Sequence, residues 1–182
     1  KYIVTMGYPI DIEVRNKPQF YLSFISSQSV GHSYNTFMKD HLFLNVLAPY
    51  TSDLNFNIKI LAGASNVSDS IWNRDDGYHQ NIFAIGGKGT LRGYEWKQFP
   101  TSHYFLTTLE IWFDEFGILY DRAVIFESPG NQFGSDYFND LSKSISTNVY
   151  HSAGLSIGDE DFSLSFIRTL DDDPNTIIYL TF

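Results

Sequence analysis

The chain of 182 residues contains no cysteine. This absence excludes disulfide bonds, thiolate metal sites and thiol catalysts, and it is compatible with any cellular compartment. Clusters of lysine and arginine are also missing, and the formal net charge is -9 at pH 7. Because a surface that binds nucleic acid needs clustered basic residues, nucleic acid is not expected as a partner.

Long apolar runs are absent as well. No window of about 18 consecutive apolar residues occurs, which excludes a transmembrane helix. A membrane-spanning β-strand needs only about 9–11 residues, with an apolar side chain at every second position. The mean hydropathy of -0.18 is therefore compatible with either a water-soluble or a membrane-embedded β protein.

Aromatic residues are abundant: 16 Phe, 12 Tyr and 3 Trp make up 17% of the chain. Aromatic and β-branched side chains favour strands. Apolar and polar residues alternate in successive segments, and this pattern predicts nine strands, or eight if the first is incomplete. The predicted strands cover residues 8–15, 19–27, 37–48, 54–62, 105–113, 118–127, 149–157, 162–170 and 176–182.

The connections between these strands alternate in length. Short turns on the periplasmic side and long loops outside are typical of outer-membrane barrels. The acidic turn of residues 171–175 is the one outer connection that is short, and residues 64–102 form the longest loop. A soluble antiparallel sandwich also alternates apolar and polar side chains, so alternation alone leaves both folds open.

The long loop carries a glycine-rich motif that presents one arginine. Its glycines permit positive φ angles, and its tyrosine can anchor the segment by packing. The spacing does not match a phosphate-binding P-loop. Taken alone, the motif could also be a flexible loop with a solvated arginine. It reads Gly86-Gly87-Lys88-Gly89-Thr90-Leu91-Arg92-Gly93-Tyr94.

Leu91-Arg92-Gly93-Tyr94, preceded by Gly86-Gly87, resembles the Val/Leu-Arg-Gly-Phe/Tyr motif of the BamA/TamA superfamily. These proteins are also described as bacterial surface antigens or outer-membrane insertion porins, and the motif lies on a long extracellular loop. The likeness extends from about residue 54 to Phe182, the terminal aromatic typical of outer-membrane proteins. Leu109-Glu110 matches a Leu-Glu pair of the family. The family's Phe-x-Asp-x-Gly motif is matched less well at Phe126-Glu127, where Glu replaces Asp and one extra residue precedes the glycine.

The resemblance implies an all-β fold, namely a transmembrane antiparallel β-barrel. Residues 1–182 would supply the last eight or nine strands of a whole with about sixteen, and the loop of residues 64–102 would fold into the lumen. Sheet edges cannot stay open in lipid, so the missing N-terminal strands of the same barrel, or another chain, must close it. The chain begins at Lys1 without a leader and is interpreted as a fragment or a processed chain.

The implied function is insertion of proteins into the bacterial outer membrane, or translocation of polypeptide across it. Expected partners are outer-membrane lipid, unfolded or translocating polypeptides, and accessory subunits. We expect no enzyme activity, no cofactor and no metal, since the five histidines lack ligand spacing. Two alternatives remain open: the anchor or export barrel of a fused patatin-like phospholipase or other upstream domain, and a soluble β-sandwich binding module.

In this family the loop arginine enters the barrel lumen and pairs with acidic residues of the following strands. Carried over, Arg92 is expected to contact Glu110 and Glu127, which the strand alternation places on the inward side. A guanidinium in a confined lumen is costly unless carboxylates match its planar donors. Because two carboxylates around one arginine leave net negative charge, water or another donor is also expected.

The alternation further assigns side chains to the two faces of the barrel. Asn55, Asn57 and Lys59 are expected to face the lumen with the two glutamates. On the terminal strand an outward stripe is expected to act as a recognition signal for the assembly machinery, formed by Ile178, Leu180 and Phe182. The residues expected to face lipid are Leu54, Phe56, Ile58, Ile60, Phe105, Leu109, Ile111, Val124 and Phe126.

Overall fold

The structure, a computed structural model, describes residues 19–28, 38–50, 53–65, 83–128, 133–158 and 162–181. Strands dominate this part of the chain. In order, the elements are β1 (Gln19–Gln28), β2 (Met38–Pro49), β3 (Leu54–Ser65), β4 (Phe83–Ile85), β5 (Phe99–Thr101), β6 (His103–Phe113), β7 (Phe116–Phe126), α1 (Ser135–Ser144), β8 (Val149–Gly158), β9 (Ser163–Thr169) and β10 (Thr176–Thr181).

Eight strands form one antiparallel sheet in the order β1-β2-β3-β6-β7-β8-β9-β10, and β4 pairs with β5 in a separate small sheet. Each pair of neighbouring strands in the main sheet is consecutive along the chain, except that β3 pairs with β6 and the loop that carries β4 and β5 lies between them in sequence. The predicted all-β class is confirmed. Within the described residues β1 and β10 are the two edges, and the sheet does not close on itself. The predicted strand of residues 8–15 lies outside the described residues.

The short turns lie side by side at one end of the sheet, and backbone hydrogen bonds join them. The Asp114 amide donates to the Asp53 carbonyl over 2.7 Å, and the Gly158 amide donates to the Glu115 carbonyl over 2.8 Å. The long connections emerge at the opposite end. This arrangement fits the alternating connection lengths in the sequence, because consecutive antiparallel strands return the chain to the same end after every second strand.

One face of the sheet is polar, and we call it the inner face. The strand register places Asn57 opposite Glu110 and Lys59 opposite Thr108 on this face. Since directly opposed residues share a face, the pairing carries the assignment from strand to strand. Other polar side chains of the inner face include Asn45, Asn55, Asp121, Ser152, Ser156, Ser165 and Thr169.

The opposite face, which we call the outer face, is apolar and largely uncovered near the short turns. Ile118 is 51% exposed, and Ile178 on the terminal strand is 59% exposed. No second sheet covers this face within the part of the chain that the structure describes. Its apolar residues include Leu54, Phe56, Ile58, Ile60, Leu109, Ile111, Ile118, Leu155, Ile157, Phe166, Ile178 and Leu180.

The outer face is covered at its other end by α1. Tyr137 packs with Ala62, Val124 and Phe126, and its hydroxyl donates to the Tyr104 carbonyl over 2.6 Å. The expectation that Phe105, Val124 and Phe126 face lipid is therefore wrong, because the connection after β7 folds a helix back over them. No helix in the described ranges is both long enough and apolar enough to cross a membrane.

The described part of the long loop packs against the inner face. Phe83 and Ile85 of β4, together with Leu91 and Tyr94, form an apolar cluster with inner-face side chains of the main sheet. Those side chains are Tyr104, Leu106 and Ala123, with Leu61, Ile125 and Tyr150 at the periphery. Burial of this cluster holds residues 83–102 against the inner face.

Candidate functional site

The glycine-rich turn sets the position of the loop arginine. The Gly86 amide donates to Thr90 Oγ1 over 2.9 Å, and the Gly87 amide donates to the Leu91 carbonyl over 3.1 Å. Gly86 has φ 120, a conformation that L side chains rarely adopt. This compact turn directs Leu91 into the apolar cluster and leaves Arg92 pointing at the strands below.

Gly93 lets the loop backbone approach the sheet closely. Its φ is 87, and a Cβ at this position would lie 3.1 Å from Ser152 Cβ and 3.2 Å from Ile167 Cγ2. Its amide donates to the Tyr179 hydroxyl of β10 over 3.0 Å. A side chain here would be strained both by the backbone conformation and by the crowding, so the motif needs glycine.

Arg92 binds two carboxylates on the inner face. Its Nε and Nη2 donate to Asp121 Oδ2 and Oδ1 over 2.8 and 2.6 Å, and its backbone amide also donates to Asp121 Oδ2. Its Nη1 donates to Glu110 Oε1 over 2.8 Å. The bidentate contact with Asp121 uses the planar donor geometry that is special to arginine.

The charges of this site balance without an external ion. Lys59 Nζ lies 3.4 Å from Glu110 Oε1, and Asn57 Nδ2 donates to Glu110 Oε2 over 3.0 Å. Two cations therefore face two carboxylates, and the additional donors expected from the sequence are Lys59 and Asn57. The Arg92 side chain is 12% exposed and that of Asp121 is 1% exposed. Burial to this degree makes loss of one partner costly for the others.

The second carboxylate is Asp121, and the expectation that Glu127 fills this role is wrong. Glu127 follows the last residue of β7 and is exposed. Asp121 lies near the centre of β7, opposite Thr108 and beside Glu110 on the inner face. The alternation along β7 places both acids on the inner face, but only Asp121 lies at the position along the strand that the Arg92 side chain reaches.

Tyr94 connects the loop to β8 and to the turn between β9 and β10. Its hydroxyl lies 2.6 Å from Asp171 Oδ2 and 3.1 Å from the His151 carbonyl, so its single proton has two acceptors. The ring meets Phe99 and Tyr150 edge-on, with centroids 5.2 and 5.9 Å apart. Burial, and then the hydrogen bond to Asp171, raise the pKa of Tyr94, so the hydroxyl stays a neutral donor.

The loop also reaches the terminal strand β10. In addition to the bond from Gly93 to Tyr179, Lys88 Nζ donates to Thr181 Oγ1 over 2.5 Å. Ile178 and Leu180 lie on the outer face and are exposed, as the terminal stripe requires. Phe182, the third member of that stripe, lies outside the described residues.

The arrangement is a structural latch, because Arg92, Gly93 and Tyr94 each bind the loop to strands of the main sheet. In the described ranges no three His, Asp or Glu side chains gather closely enough to hold a metal ion. The sequence matches no model of a known protein family, and a search of curated proteins finds no match. What can be inferred about function therefore comes from the two faces of the sheet and from the Arg92 loop.

Proposed function

We propose that this chain is the C-terminal half of a bacterial outer-membrane β-barrel that inserts proteins into that membrane or translocates polypeptide across it. The observation that carries the proposal is the distribution of polarity, with an exposed apolar outer face and a polar inner face. A soluble antiparallel sheet buries its apolar face against a core. In a transmembrane barrel lipid covers the apolar face and the polar side chains line the interior.

Exposed aromatic side chains at the short-turn end support a membrane location. Phe113 and Phe116 are paired across the β6–β7 turn on the outer face, and both are exposed. Tyr50 and Phe162 are exposed at the neighbouring short turns. Rings at the ends of membrane strands favour the interface between hydrocarbon and headgroups. These four residues, which we call the aromatic girdle, would mark the periplasmic boundary.

The open edges of the sheet support the proposal that further strands complete the barrel. The described sheet ends at β1 and β10, each with one unpaired backbone edge. An unpaired edge in hydrocarbon leaves amides and carbonyls without partners at a cost of several kcal/mol each. Upstream strands of the same protein are therefore the proposed partners of these edges.

The latched loop supports an insertion or translocation factor. Residues 83–102 cover part of the inner face and contact β6, β7 and β10 together. A loop held in this way narrows the interior and presents a fixed surface to a polypeptide. The barrel of a fused enzyme such as a patatin-like phospholipase would have the same two faces, and it remains the second candidate.

Depletion of the protein in its bacterial host tests the proposal. We expect other outer-membrane β-barrel proteins to decrease in the outer-membrane fraction and their unfolded forms to accumulate in the periplasm. Wild-type protein supplied in trans should restore them, and so should the surface variant Lys97→Asn. Unchanged levels of these proteins, with loss of only an attached enzyme activity, would favour the second candidate. Release of the protein by buffer without detergent would favour a soluble sandwich.

A further inference from the structure

Three basic side chains lie next to one another on the outer face, where a lipid-facing surface is otherwise apolar. Arg122 on β7 is directly opposite His151 on β8. Arg168 on β9 is opposite Ala153, one step along the same face from His151. Opposed and diagonal neighbours on one face have Cβ atoms roughly 5 to 8 Å apart. We call Arg122, His151 and Arg168 the basic row.

The two arginines of this row have no carboxylate partner among the described residues. The four ion pairs there involve Lys59, Arg92 and Lys143 as the cations. Arg122 Nη2 reaches only the Ile145 carbonyl over 3.4 Å, and Arg168 is exposed. In a chain with a net charge of -9, two guanidinium groups without carboxylate partners give this part of the outer face a local positive charge.

The nearby polar groups leave that positive surface available. Tyr120 and His151 share a hydrogen bond of 2.7 Å between the hydroxyl and Nδ1. Asp171, whose charge acts on His151, already accepts the Tyr94 hydroxyl over 2.6 Å. The basic row therefore offers two guanidinium groups of the planar type that matches phosphate oxygens, and neither forms an ion pair with a carboxylate of the described residues.

The height of the row on the sheet places it within side-chain reach of a headgroup. Arg122 lies six residues beyond Phe116 of the aromatic girdle, roughly 20 Å along the strand. Strand tilt reduces this height to roughly 15 Å in an apolar band about 25 Å tall, so the two arginines lie inside the far edge of the band and their long side chains extend toward the headgroups there. Exposed apolar residues of the outer face, among them Leu155 and Ile178, lie between the row and the short turns. Helix α1 covers the outer face on the opposite side of the row.

We infer that the basic row binds the phosphate of a membrane lipid headgroup. The inference rests on the proposed function, because the row meets headgroups only if the outer face contacts lipid. Charge complementarity and continuity with the apolar band identify the ligand as a lipid phosphate, with its acyl chains lying along Leu155 and Ile178.

Native mass spectrometry of the detergent-purified protein tests this inference, with phosphatidylglycerol and phosphatidylcholine as probes. The protein should bind phosphatidylglycerol in preference to phosphatidylcholine. Arg122→Gln and Arg168→Gln should each reduce that preference roughly fivefold, the change that corresponds to about 1 kcal/mol per basic residue near an anionic surface. Lys97→Asn removes the same charge from the loop, and it should leave the preference unchanged.

Equal binding of the two lipids, or unchanged preference in both arginine variants, would overturn the inference. Inorganic phosphate at the lipid's concentration should not displace phosphatidylglycerol, because it lacks acyl chains. Displacement as effective as that by lipid would identify a free-phosphate site instead. Recovery of wild-type protein in the outer-membrane fraction is a separate readout. If the protein is absent from that fraction, the proposed function fails and the inference fails with it.

Discussion

Replacing Arg92 with alanine is expected to lower the free energy of unfolding by about 3–5 kcal/mol, the usual cost of removing one partner from a buried ion pair. The variant leaves the buried carboxylate of Asp121 without its two side-chain donors and Glu110 without one of its cations. The loop should loosen from the inner face, because Arg92 connects it to both β6 and β7. The folded form should therefore lose heat resistance in detergent gels.

Three further variants make this prediction specific. Arg92→Lys keeps the charge without the bidentate geometry and should have an intermediate effect. Adding Asp121→Asn to Arg92→Ala removes the uncompensated charge and should recover part of the lost stability. Lys143→Ala removes an exposed cation on α1 and should have little effect. Wild-type heat resistance in Arg92→Ala would mean that the latch contributes nothing to the fold.

Replacing Ile58 with arginine is expected to cost about 2–4 kcal/mol when the protein folds into a bilayer, the penalty for a basic residue near the midplane. Ile58 is exposed on the outer face opposite Leu109, which pairs with Tyr120, four residues beyond Phe116 of the aromatic girdle. Unfolding in denaturant from lipid vesicles measures the change. On a surface exposed to water the same substitution is close to neutral, usually within about 0.5 kcal/mol.

A second position at a different depth in the bilayer provides the control for this prediction. Ile157 also lies on the outer face, opposite Phe116 at the level of the aromatic girdle, and it is exposed. Because the penalty decreases toward the interface, Ile157→Arg should cost about 0–1 kcal/mol. Equal changes in the free energy of unfolding for the two variants would argue against a lipid-facing surface, because the introduced arginine would then contact water at both positions.

The strands and their faces were accessible from the sequence because both depend on local alternation. The segments around Leu54, Ile118 and Val149 alternate over many residues, and the short turns between them fix the register. Eight of the predicted strands correspond to strands of the main sheet. Closure into a barrel would require contacts with further strands, and no alternation within these residues predicts such contacts.

The helix was missed, and with it the covering of one end of the outer face. Tyr137 and Leu141 have helical spacing and both pack toward the sheet, with Asp136 in the first turn and Lys143 in the last. That signal spans about three turns of a largely polar segment, and a search for strand alternation does not detect it. Alternation places Val124 and Phe126 outward correctly, but it cannot indicate whether lipid or a returning helix covers them.

Asp121 was missed for a different reason. The alternation of β7 puts Asp121 and Glu127 on the same side, and Asp121 is the one acid within the strand. The family's Phe-x-Asp-x-Gly motif points instead to Glu127, which lies beyond the end of the strand. Choosing between them requires the height at which the loop crosses the sheet, and this depends on the packing of Leu91 and Tyr94.

Spin labels on single cysteines provide the most direct test of a lipid-covered outer face, because the chain has no cysteine of its own. Labels would replace Ile118, Leu155 and Ile178 in the reconstituted protein, with Trp96 on the exposed part of the loop as the control. A lipid-covered outer face predicts that molecular oxygen reaches the three outer labels and that a water-soluble nickel complex does not, whereas the nickel complex should reach the label at Trp96. Nickel access at the outer labels equal to that at Trp96 would contradict it, and so would exclusion of both reagents, which would indicate a protein surface there.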